Sequence, residues 1–147
     1  MTQAALGAAL GGVFFGKEKG SQAIWTGAAV ATLPDLDVVF YVFYDSLDML
    51  SIHRGLSHSF FFSTLAGLVV AYVLSRIKMW SDVSFWPLAA FSWACLYTHI
   101  LLDAFTTYGT QLWAPFSAQR VGLDSINVVD PVYTLPLLLG IFAALWI

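Results

Sequence analysis

All three histidines of this chain, His53, His58 and His99, lie in short polar clusters set among long apolar runs. His99 and Asp103 are four residues apart in HILLD, so both side chains share one face of a helix. That pair suits two ligands on one metal, or an imidazole oriented by a carboxylate. His53 and His58 bracket the HRGLSH run. Five residues turn about 140° round a regular helix, so these two need the loop that Gly55 permits. Asp35 and Asp37 of LPDLD diverge on a helix, whereas in an extended segment after Pro34 both point the same way. A histidine-and-carboxylate set of this kind suits zinc, manganese or a related divalent ion. Such an ion lowers the pKa of a bound water towards neutrality and polarises a phosphoryl or carbonyl oxygen. Arg54, between two of the histidines, is a candidate for holding an anionic group such as phosphate. The competing reading is that His–Asp pairs satisfy each other across helices and only specify packing. Packing needs fewer than three histidines and several aspartates.

The elements that must position these residues belong to a membrane. The hydrophobic share of the 147 residues is 59% and the charged share 10%, against roughly half and a quarter in soluble domains. A net charge of −3 with scattered basic residues points away from nucleic acid. The single cysteine, Cys95, cannot form an internal disulfide and reads as packing filler. The first residues lack a basic n-region, so the run Ala4–Phe15 is expected to stay as a membrane segment. Gln22–Tyr44 is a second apolar stretch, broken at Pro34. Ser59–Ile77 and Val83–Leu102 each give about 30 Å of helix, enough to span. A polar-aromatic loop over 104–127 is unusually long for a compact bundle, and Val128–Ile147 is a last apolar run. The sequence therefore predicts one all-α, polytopic domain over 1–147 with four to five membrane segments.

Alternating spans place Lys17, Lys19, Arg76 and Lys78 on one side, which the positive-inside rule makes cytoplasmic. Asp35, Asp37, His58, His99 and Asp103 then meet on the opposite, extracytoplasmic side, together with Asp45, Asp48, Asp124 and Asp130. Ionisable groups near lipid are costly and mark pathways, ligands or catalysis. Tyr108, Trp113, Phe116 and Tyr133 read as an interfacial aromatic belt.

Thr2-Gln3 before LGAALG, then LPDLD, HRGLSHS, HILLDAFTTYGTQLWAPFS and VVDPVYTLPLL, resembles the family of LexA-binding, inner-membrane-associated metal-dependent hydrolases. The likeness covers nearly the whole chain. The family pattern LPDxD, HRGxTHS and HxxLD falls on Asp35, Asp37, His53, His58, His99 and Asp103. Ser57 stands where threonine is common and keeps the hydroxyl; Gln3 stands where some relatives have histidine. Many members continue past this length, so the chain reads as a shortened form.

The resulting expectation is a multi-pass inner-membrane hydrolase of a phosphoester in a lipid-linked or amphiphilic substrate. Asp35, Asp37, His53, His58, His99 and Asp103 are the expected ligands, for one or two zinc or manganese ions. Asp37 or Asp103 is the expected general base, and Arg54 the anion holder. Two other classes compete: a metal or proton transporter or ion-stabilised scaffold, and an intramembrane metallopeptidase or amidase. The absence of HExxH weighs against the last. The oligomeric state is not legible.

Overall fold

Gly20 adopts φ of 54° and turns the chain between its first two helices, a conformation that costs glycine little. In the computed structural model, which describes residues 2–42, 55–127 and 130–146, five helices follow in order. They are α1 (Thr2–Lys19), α2 (Ser21–Ala31), α3 (Phe60–Arg76), α4 (Phe85–Ala104) and α5 (Pro131–Trp146). Pro34–Val42 and Leu56–His58 are 3₁₀ helices. The charged turn expected over 17–20 is smaller than the sequence suggests, because α1 runs on to Lys19.

Glycines set the α1–α2 contact. A Cβ at Gly7 would strike the Gly27 carbonyl, one at Gly27 the Gly7 carbonyl, and one at Gly11 the Ala23 carbonyl. The paired positions run in opposite directions, so the two helices are antiparallel with their backbones in contact, as small residues allow. Against this pair lies α4, the central helix, which also packs on α3. Phe91 and Cys95 of α4 are fully buried with Ala23, Ala31 and Trp80. Phe15 meets Trp80 and Phe91 edge-on, at centroid distances of 5.2 and 5.5 Å. Trp93 of α4 lies against Gly67 of α3 and donates from Nε1 to the Thr64 carbonyl at 3.0 Å.

Local chemistry fixes the ends of the helices. Ser59 caps α3 by accepting the Phe62 amide at 3.1 Å. Asp130 caps α5 by accepting the Val132 amide at 2.9 Å, with Pro131 at the first helical position. At the far end of α1, Lys19 donates to the Met79 carbonyl and to Asp82, which joins the 17–20 and 76–82 turns. The ammonium holds the exposed Asp82 carboxyl below its ordinary range. α5 packs chiefly on α1, where Thr2 and Thr134 share a hydrogen bond of 3.1 Å.

Among the described residues one helix, α4, is long and apolar enough to cross a membrane. α3 and the Thr134–Ala143 part of α5 are apolar but shorter. The expected break at Pro34 is present, but the segment after it is 3₁₀ and not extended. Its amides bond three residues back, Asp35 to Thr32 and Leu36 to Leu33. The loop after α4 is tied by an antiparallel bridge between Thr110 and Val121, and Leu112 accepts the Phe60 amide at 3.0 Å.

Gly27→Ala should destabilise the protein by about 1–3 kcal/mol, because backbone rather than a flexible side chain must yield. Gly16→Ala, whose Cβ meets nothing within 4 Å, should leave stability near wild type. Thermal unfolding of both variants in detergent checks the contrast.

Candidate metal centre

The break at Pro34 does more than end a helix. An α-helical partner for the Ala31 carbonyl would be the Asp35 amide, but that amide turns to Thr32. The 3₁₀ partner would be the nitrogen of Pro34, which carries no proton. The His99 ring takes the place of both: its Nδ1 donates a short hydrogen bond to the Ala31 carbonyl. With the proton on Nδ1, the lone pair of neutral His99 is on Nε2.

His58 is oriented the same way by a different device. Ser57 donates to Asp37 Oδ2 at 2.9 Å, and its oxygen lies 3.0 Å from His58 Nδ1. An ionised carboxylate only accepts, so the serine proton is committed to Asp37 and the hydroxyl oxygen accepts from His58 Nδ1. In the neutral ring Nε2 is again the unprotonated nitrogen. Asp103 is held by Gln3, whose Nε2 donates to Oδ1 at 2.7 Å.

These constraints aim four atoms at one point. His58 Nε2 lies 3.3 Å from His99 Nε2, 3.4 Å from Asp35 Oδ1 and 3.3 Å from Asp103 Oδ2. His99 Nε2 lies 3.4 Å from the same Asp35 oxygen and 3.5 Å from the same Asp103 oxygen. All four atoms fall within 4.8 Å of one another. A tetrahedron with metal–ligand bonds of about 2.0–2.2 Å has edges of about 3.3–3.6 Å; the five distances above match it, and with the whole group inside 4.8 Å these residues can hold a divalent ion. A proton on one ring would satisfy one edge of the group, whereas a central cation would satisfy every donor. His58, His99 and Asp103 are buried; the Asp35 side chain is 40% exposed and forms the open edge.

A family model described as YdjM inner membrane protein matches residues 1–147. The chain belongs to that family. It is also similar to uncharacterized protein YfhP of Bacillus subtilis (strain 168), with 31% identity over 143 residues. That match covers 88% of this chain and 41% of the relative, so the chain spans about two-fifths of YfhP's length. No solved structure matches.

In this YdjM-family protein, four of the six expected ligands, Asp35, His58, His99 and Asp103, come together. Asp37 stands behind His58, its Oδ2 3.7 Å from Nδ1, on the far side of the ring from the donor group. The 3₁₀ geometry explains the split. At three residues per turn, positions 35 and 37 point about 120° apart, and they grip opposite edges of one imidazole. His53 and Arg54 lie outside the described residues. Asp124 accepts from Thr107, and Asp130 is the α5 cap, so both have local structural partners. Among the described residues there is one such donor group.

The sequence does not show what three contributors hold. The Ala31 carbonyl has no side-chain signature, although a proline three residues on marks a carbonyl without its 3₁₀ donor. Ser57 shows in the sequence only as a motif hydroxyl and Gln3 only as a position where relatives carry histidine, and neither pattern names the partner it holds. Partners of this kind commonly change metal affinity 10–100-fold. Ser57→Ala and Gln3→Ala should each weaken metal binding by about that factor with the fold retained. Competition titration against a chelating dye, beside a thermal unfolding control, checks this.

Proposed function

We propose that Asp35, His58, His99 and Asp103 hold one divalent cation, with zinc the best match to two nitrogens and two oxygens at these spacings. The observation that carries this reading is the 3.3 Å approach of two Nε2 atoms, each ring having its Nδ1 proton engaged elsewhere. The protein is, in this reading, a multi-pass membrane hydrolase of a phosphoester in a lipid-linked or amphiphilic substrate. When bound, the ion supplies an acidified water and a Lewis acid for a phosphoryl oxygen.

The chain's own residues supply the rest. Ser57 and Asp37 hold the His58 ring, the Ala31 carbonyl holds His99, and Gln3 holds Asp103. Asp103 has one oxygen tied to Gln3 and Asp37 lies behind His58, so neither is as well placed for proton transfer as Asp35. Asp35 is the most exposed donor and is assigned the substrate-facing role, with its second oxygen as the proton acceptor. Arg54 is assigned recognition of the anionic group on the sequence argument.

An amphiphilic substrate is favoured by the surroundings of His58. The loop after α4 docks on the start of α3, where Phe60 meets Trp113 at 5.5 Å and Phe61 meets Phe116 at 5.8 Å. Trp113 and Phe116 are largely exposed, as aromatics at a lipid–water boundary are. The basic turns joined by Lys19 lie at the end of α1 away from Gln3, which supports an extracytoplasmic site.

Metal analysis of purified wild type should find about one equivalent of a divalent ion, and His58→Ala and Asp103→Ala should each lose it. Full metal content in both variants would overturn the ligand assignment. A screen of lipid phosphoesters with the metal-loaded protein tests the reaction. Metal binding without turnover of any of them would leave the site standing and remove the hydrolase reading.

A further inference from the structure

Beyond the Thr2–Thr134 contact, an apolar groove of about 510 Å³ runs between α1 and α5. Its glycines differ from those that join α1 to α2. A Cβ at Gly16 or Gly140 would meet nothing within 4 Å, and one at Gly12 only Ile24 Cγ1 at 4.0 Å. They are not required for a contact between these helices; they keep volume open. Among the described residues the lining holds one charged group, Lys17. Lys19, two residues on, is engaged with Asp82 and the Met79 carbonyl, whereas Lys17 lines the groove.

The lining selects the occupant. It runs along α1 from Ala8 to Gly20, about 18 Å, and is apolar apart from the one cation at Lys17. A flexible hydrocarbon chain fits, and leaving such a space empty forfeits dispersion contacts along its whole lining. A lysine whose stem lies along apolar surface keeps its ammonium at the headgroup level, where anionic lipid is attracted.

We propose that this groove binds one acyl chain of an anionic glycerophospholipid, whose phosphate is met by the Lys17 ammonium. The site lies towards the end of α1 remote from Gln3 and is separate from the metal centre. It rests on the membrane-embedded reading of α1 and α5 given above.

The test uses the 147-residue chain reconstituted in vesicles of equal parts dioleoylphosphatidylglycerol and dioleoylphosphatidylcholine, extracted in mild detergent, and weighed by native mass spectrometry. Wild type should retain phosphatidylglycerol in preference to phosphatidylcholine. Lys17→Gln should lower that retention about fivefold, and the double variant Gly16→Leu, Gly140→Leu should abolish it. Metal content should be unchanged in both, which shows that the fold survives. Equal retention by wild type and Lys17→Gln, or full retention by the double variant, would overturn the proposal. A wild-type dimer that Gly16→Leu dissociates would overturn it in favour of a second copy's helix. Release of the protein from vesicles by alkaline carbonate is a separate readout, and it would overturn the embedded reading itself.

Discussion

The hydrogen bond from His99 to the Ala31 carbonyl is the constraint on which the rest of the centre depends. It joins the central helix to the end of α2, and it exists because Pro34 cannot supply the amide that would otherwise compete. The bond sets the His99 tautomer, and so decides which nitrogen faces His58 and the two carboxylates. It also seats the 3₁₀ segment that carries Asp35 against the end of α4. An imidazole here without that carbonyl would be a buried polar ring with no fixed orientation, and burial of such a group is costly.

The apolar scaffold serves this polar cluster by being stiff. Backbone contact at Gly7, Gly11 and Gly27 leaves α1 and α2 little room to slide, and α4 is wedged against both by Phe15, Trp80 and Phe91. Gln3 at one end of α1 therefore reaches Asp103 at the matching end of α4. Interiors packed at crystal-like density transmit position over such distances. The polar groups lie at one end of this bundle, and the charged turns at Lys19 and Asp82 lie at the other.

Much of the centre was legible in the residues alone. The i, i+4 spacing of His99 and Asp103, the hydroxyl at Ser57 and the break at Pro34 all have local causes, and each is found where those causes put it. The helix boundaries differ by a few residues, since Lys17 and Glu18 extend α1 where charge suggested a turn. The division of labour between Asp35 and Asp37 was not legible. It depends on a 3₁₀ path against an extended one, a choice made by amides at 35 and 36 and by the packing of His58 between the two side chains. The partner of Gln3 was equally hidden. It lies 100 residues away, and no local pattern encodes a contact of that separation.

That separation has a consequence for how the protein is made. The donors and the groups that aim them come from positions near 3, 31, 35, 58 and 100, so no fragment that stops short of Asp103 contains the centre. Gln3 and the Ala31 carbonyl emerge early and must wait for α4. Contacts of such long range are late rewards in folding, since the intervening chain must be ordered first. The donor cluster therefore cannot assemble until α4 is made and seated against α1 and α2.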